Sequence, residues 1–139
     1  MPTASYTKIP AANEDLLESI NAGTDQWAIA LTNTVPASKS FTAGTTDLAT
    51  GGGYTQGGNN VSTTSASMNG SDFVLVLADP AVWTGSGGGF TFRYALLVNK
   101  TVNIIPGYWD YGSSQAVAAG ETVTVDLDQT ATVGTFKVT

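Results

Sequence analysis

"FTFRYALLVN" (residues 90–99) alternates along its whole length. Phe90, Phe92, Tyr94, Leu96 and Val98 fall on one side of a period-two pattern, and Thr91, Arg93, Ala95, Leu97 and Asn99 fall on the other. Successive side chains of a strand point to opposite faces, so this pattern predicts a strand with one face on a core. The same period continues in both directions. Upstream, "DFVLVLA" (72–78) is apolar on both faces, as a strand buried between two layers must be. In "QWAIALTN" (26–33), Trp27, Ile29 and Leu31 share a face, with Ala28 and Ala30 opposite. "NNVSTTSASMNG" (59–70) reads as a polar strand with a small-residue edge. Downstream, "ETVTVDLD" (121–128) turns Val123, Val125 and Leu127 inward, and "TVGTFKVT" (132–139) is the closing strand.

Turn-rich segments separate these runs: "VPASKS", "TAGTTDLATGGG", "TQGGNN", "TGSGGG" and "AVAAGE". They hold most of the 16 glycines, which fits many short strands joined by tight turns. Only "ANEDLLESI" (12–20) reads as a helix. Asn13 is its expected cap, Glu14 and Asp15 suit the first turn, and Leu16, Leu17 and Ile20 form one apolar face. Residues 1–12 are polar, proline-punctuated and expected to form an arm. The fold class is therefore all-β: a β-sandwich, with a jelly roll as its expected form, preceded by a short N-terminal helix and arm. Residues 1–24 make the arm and helix, and residues 25–139 make a single β-sandwich domain.

Composition narrows the chemistry. The 139 residues suit one domain, and 42% apolar residues are enough for a real core. With neither cysteine nor histidine, the chain has no disulfide, no thiolate or imidazole metal ligand, and no serine–histidine triad. The net charge is −6, and Lys8, Lys39, Arg93, Lys100 and Lys137 are scattered singly. No basic stripe tracks phosphates, so nucleic acid is not an expected partner. The longest apolar run, "FVLVLA" (73–78), is far too short to span a bilayer, so no membrane partner is expected. "MPTASYTKIP" has neither a charged n-region nor an apolar h-region, so synthesis in a cytoplasm is expected.

"GYWDYGSS" (107–114) is the most distinctive stretch. As a strand it places Trp109 and Tyr111 on one face and Tyr108 and Asp110 on the other. The first reading is a corner: Gly107 and Gly112 make turns while the aromatics plug the end of the sandwich. The second is a subunit contact, where Trp and Tyr are enriched. The third is a glycan site, in which aromatic rings stack on a sugar and Asp110 takes its hydroxyls. Arg93, the single arginine, either pairs with an acid or anchors a subunit interface. Asp126 and Asp128 share a strand face, and Asp25, Asp47, Asp79 and Asp110 lie near turns. Without an EF-hand pattern, these read as solvated loop carboxylates rather than a calcium site. No pair of acids is marked for glycoside hydrolysis, and no glycine-rich loop precedes a helix to cradle phosphate. No enzyme, cofactor or metal is expected.

Four stretches in order carry a resemblance: "DQWAIALTNTVP" (25–36), "LATGGGYTQGGN" (48–59), "LVLADPAVWTGSGGGFTFRYALLVN" (75–99) and "GYWDYGSS…AAGETVTVDLD" (107–128). Together they resemble small virion structural proteins of tailed bacteriophages, over residues 25–128. The resemblance implies a structural role in the head or tail of the particle, with capsid cement (decoration) proteins as members of this size class. It supplies no catalytic motif. A cement role implies a place on the outer surface of the head, with the major capsid protein and other copies of the chain, as a trimer, as partners. Residues 1–24 and the glycine loops would then meet the capsid, and an aromatic-rich face would serve self-association. Tyr6, Leu16, Leu17, Arg93, Tyr108, Trp109 and Tyr111 are the candidate contact residues. A tail or neck component, or a host-glycan module using Tyr108, Trp109 and Asp110, are the alternatives.

Overall fold

The computed structural model describes residues 3–138. Its strands are β1 (Tyr6–Lys8), β2 (Trp27–Thr32), β3 (Asn59–Val61), β4 (Thr63–Asn69), β5 (Asp72–Leu77), β6 (Trp83–Thr84), β7 (Phe90–Asn99), β8 (Ile104–Val117), β9 (Thr122–Val123) and β10 (Phe136–Val138). One α-helix, α1 (Asn13–Glu18), follows a 3-10 turn at Pro10–Ala12. The strands form an antiparallel five-stranded sheet β1-β8-β7-β2-β3, a three-stranded sheet β10-β5-β4 and a two-stranded ribbon β6-β9. The pairing does not show a jelly roll. Of the segments expected from sequence, Met1 and Pro2 of the arm and Thr139 of the last strand lie outside the described residues.

All three sheets contribute to one core. Trp27, Ile29 and Leu31 from β2 meet Phe92, Ala95 and Leu97 from β7, Leu75 and Leu77 from β5, and Phe136 from β10. Trp83, Val123, Val125 and Leu127 complete it from the ribbon side. A second cluster covers the opposite face of the large sheet, where Ala28, Ala30, Leu96, Val98 and Ile105 pack with Phe41. The alanines of β2 are small because Ala28 stands beside Val98 and Ala30 beside Leu96, leaving room for the Phe41 ring.

The alternation in β7 breaks once. Phe92 joins the main core, whereas Tyr94 lies on the other side with Leu96 and Val98, its ring 5.9 Å from that of Tyr108. The uniform face expected for Phe90 to Val98 is therefore wrong at Arg93, where the register with β8 shifts. Between the pairs Phe92–Gln115 and Tyr94–Asp110, Arg93 alone stands opposite residues 111–114. Such a bulge switches which side chains face inward.

Three N-terminal expectations also change. Tyr6–Lys8 is not a free arm but an edge strand, paired with Trp109, Tyr108 and Gly107 of β8. Asn13 does not cap the helix: its amide donates to the Pro10 carbonyl of the preceding 3-10 turn, which leaves Ala12 at the cap position. Leu16 and Ile20 pack on the core, but Leu17, about 100° further round the helix, is 84% exposed. Downstream, Val123, Val125 and Leu127 are buried as expected, yet only Thr122–Val123 is strand. The antiparallel partner β6 begins only at Trp83, opposite Val123, so the residues after Val123 have no strand beside them and the Leu127 amide donates to the Asp79 carboxylate instead.

Candidate functional site

Strand β8 carries the aromatic stretch through the middle of the molecule. The pleat sends Trp109 and Tyr111 toward the main core and Tyr108 toward the second cluster. Trp109 meets Tyr6 edge-on with ring centroids 5.2 Å apart, and Tyr6 in turn stacks on Phe136 at 6.3 Å. Tyr111 meets Phe92 edge-on at 5.7 Å. The trio Tyr108, Trp109 and Asp110 expected of a glycan grip does not converge, because consecutive strand residues point apart.

Gly107 does not turn the chain. It sits inside β8 opposite Leu97 of β7 and Lys8 of β1. Gly112, with φ 83°, does mark a bend, in the bulge opposite Arg93. Asp110 faces that bulge and is gripped by Arg93 through two bonds, from Nε at 2.8 Å and from a terminal guanidinium nitrogen at 3.1 Å. The Gly112 amide donates a third bond, at 2.8 Å. The Arg93 hydrogen bonds, then the Gly112 amide, hold the Asp110 carboxyl below the ordinary carboxylate range. The guanidinium also lies 5.2 Å from the Tyr94 ring centroid. Of the two readings of Arg93, pairing with an acid is the one seen within the chain.

Trp109 and Tyr111 form one wall of a cleft of about 280 Å³, with Val125, Asp126 and Leu127 on the other side and Thr3 and Ala4 at its rim. Burial first, and the Asp126 charge second, push the Tyr111 hydroxyl above its ordinary value. Aromatic faces beside a carboxylate can hold an apolar ring bearing hydroxyls. The acid that meets the aromatics is thus Asp126, from the segment after β9, and not Asp110. Sequence spacing cannot reveal this pairing, because residues 109 and 126 meet only through the fold. Leu16 and Leu17 line a separate groove beneath α1.

Asp47, expected from sequence to be a solvated loop carboxylate, is instead buried, only 5% exposed. Asp47 accepts from the Gly44 amide at 2.7 Å, the Gly57 amide at 2.6 Å and the Tyr54 hydroxyl at 2.6 Å. Tyr54 in turn accepts from the Leu31 amide at 3.0 Å, which ties the glycine-rich loops to β2. This is a lock, with every oxygen of the carboxylate engaged. Among the described residues, no three acidic side chains gather as a metal site, and no helix is long and apolar enough to cross a membrane. Compared with known proteins, the chain matches no family model, no curated protein and no solved structure.

Proposed function

We propose that the chain is a structural protein of a bacteriophage particle: a β-sandwich cement (decoration) protein on the outer surface of the head. There it bridges capsomers through contacts with the major capsid protein and with other copies of itself. The observation that carries this reading is how the conspicuous side chains are used. Trp109 packs on Tyr6, Tyr111 on Phe92, Asp110 on Arg93 and Asp47 on Tyr54, so these groups brace the body rather than wait for a reactant. What the surface offers instead is a groove lined by uncharged residues, with Leu17 and Val138 exposed along it, which suits assembly. A net charge of −6 without a basic patch also suits the outside of a DNA-filled shell better than its lining. Co-sedimentation of the purified chain with empty capsids tests the reading. Saturable binding at a fixed ratio to the major capsid protein supports it, and a chain left in the supernatant at all concentrations refutes it.

A tail or neck position is the neighbouring reading and is distinguished by the same sedimentation with isolated tails. The cleft at Trp109 favours a second class of function, a host-glycan-binding module, now with Trp109, Tyr111 and Asp126 as its grip. Retention on surface polysaccharide that is lost in Asp126→Ala, with folding intact, would favour that module over cement.

A further inference from the structure

The core-facing side of the three-stranded sheet carries two cross-strand rows. In the first, Phe136, Leu75 and Ala66 stand abreast, and the large sheet covers them. In the second, Val138, Phe73 and Met68 stand abreast on the same face, two residues further along each strand. This row outruns its cover, leaving Met68 62% and Val138 40% exposed. Opposite it stands the exposed Leu17 of α1. Between them runs a groove of about 570 Å³, lined by Leu16, Leu17, Ile20, Ala66, Phe73 and Val138 among others, with no charged residue in its walls.

The groove borders a free sheet edge. β4 is the last strand of its sheet, and among the described residues no other backbone group bonds to its outer side. A two-residue loop with Gly70 at φ 62° joins β4 to β5 and makes Asn69–Asp72 the closing, hydrogen-bonded pair. Alternation from that pair leaves Ala66 and Met68 with backbone N–H and C=O groups directed away from β5. Natural edges of this kind are blunted by lysine, proline or bulges. β4 has one bulge, between Thr63 and Ser65, and its seven residues carry neither charge nor proline.

We propose that this edge pairs with the same edge of a second copy, antiparallel about a two-fold axis at Ala66. Ser65 of each copy then faces Ser67 of the other. A second copy is the occupant because the strip is self-complementary. Its small side chains let two backbones approach, and no like charges meet at the seam of a chain that carries −6 overall. An isologous pair closes on itself and gives a dimer, which differs from the trimer that the resemblance implies. The inference stands apart from the proposed place on a phage head: a dimer that ignores capsids keeps the first and removes the second.

Light scattering on the purified chain is expected to give the mass of a dimer. Ser65 and Ser67 are exposed, so S65K/S67K and S65E/S67E should both fold, as circular dichroism checks. Each places like charges opposite each other across the seam, and its dimer dissociation constant should rise roughly tenfold or more. Mixing the two variants should restore the dimer as a heterodimer. A wild-type monomer or trimer, a dimer unmoved by the charges, or a mixture that stays monomeric would each overturn the proposal.

Discussion

Tyr6 lies directly over Gly107: a Cβ added at position 107 would fall 2.2 Å from Cζ of the tyrosine ring. The contact joins the first strand of the chain to the fourth residue of β8. It explains a glycine in mid-strand, where glycine otherwise weakens a sheet. Only a bare backbone lets the ring reach Trp109 and Phe136 on either side.

Gly107→Ala should therefore push Tyr6 off β8 and destabilise the protein by about 2 kcal/mol, as overpacking does. In a Tyr6→Ala background the same change should cost far less. Urea unfolding of the four proteins of this cycle gives the coupling, expected at about 1–2 kcal/mol. Additive effects would mean that the ring does not depend on the glycine.

The two tryptophans Trp27 and Trp109 should separate cleanly. Trp27 is fully buried and donates from its indole to the Ala22 carbonyl at 2.9 Å. Trp27→Ala should cost about 3–5 kcal/mol, the range for a large core side chain. Trp109 keeps part of its ring in solvent, so Trp109→Ala should cost roughly half as much. Equal losses in chemical denaturation would show that Trp109 belongs to the core proper.

Tyr54→Phe removes one hydroxyl but strands two partners, the Asp47 carboxylate and the Leu31 amide. A loss of about 2–3 kcal/mol is expected, with protease sensitivity rising in residues 42–58, because buried groups left unpaired retain their desolvation cost. A stability within 0.5 kcal/mol or so of wild type would mean that water replaces the hydroxyl.

Acid should weaken the Arg93–Asp110 clasp. Asp110 is held below its ordinary value of 3.8, so the clasp stabilises the fold fully above that pH and is lost as pH falls through the lowered value. The melting temperature of Asp110→Asn should lie below wild type at neutral pH, and the gap should close in acid. Because both groups are partly in water, added salt should narrow the gap as well.

At the alkaline end the sign reverses. Burial raises the Tyr6 and Tyr54 hydroxyls above the ordinary tyrosine value, so the fold favours their neutral forms. Stability is full below about pH 10 and declines as pH rises toward the raised values. Tyrosinate absorbance should show these two residues ionising together with loss of β signal, not before it.

The antiparallel strands were legible because burial on one face of a strand imposes a period of two. Trp27, Ile29 and Leu31 against Ala28 and Ala30 were assigned to their two sides from that period alone. Val123, Val125 and Leu127 were likewise correctly turned inward, although most of their segment makes no ladder. Periodicity reports burial, and a ladder needs a partner of matching length. The exclusion of thiol and imidazole chemistry also came from composition, which no fold can alter.

Tertiary structure alone decided the rest. The bulge at Arg93 follows from four residues of β8 standing opposite one of β7, a mismatch between two successive strands that the alternation along either one does not record. The same holds for Asp126 beside Tyr111, Asp47 under Tyr54 and Tyr6 over Gly107: each is a contact between segments whose separation along the chain carries no signal. A sequence shows what each residue prefers to bury, and the neighbour it is buried against is fixed only when strand register closes the loops between them.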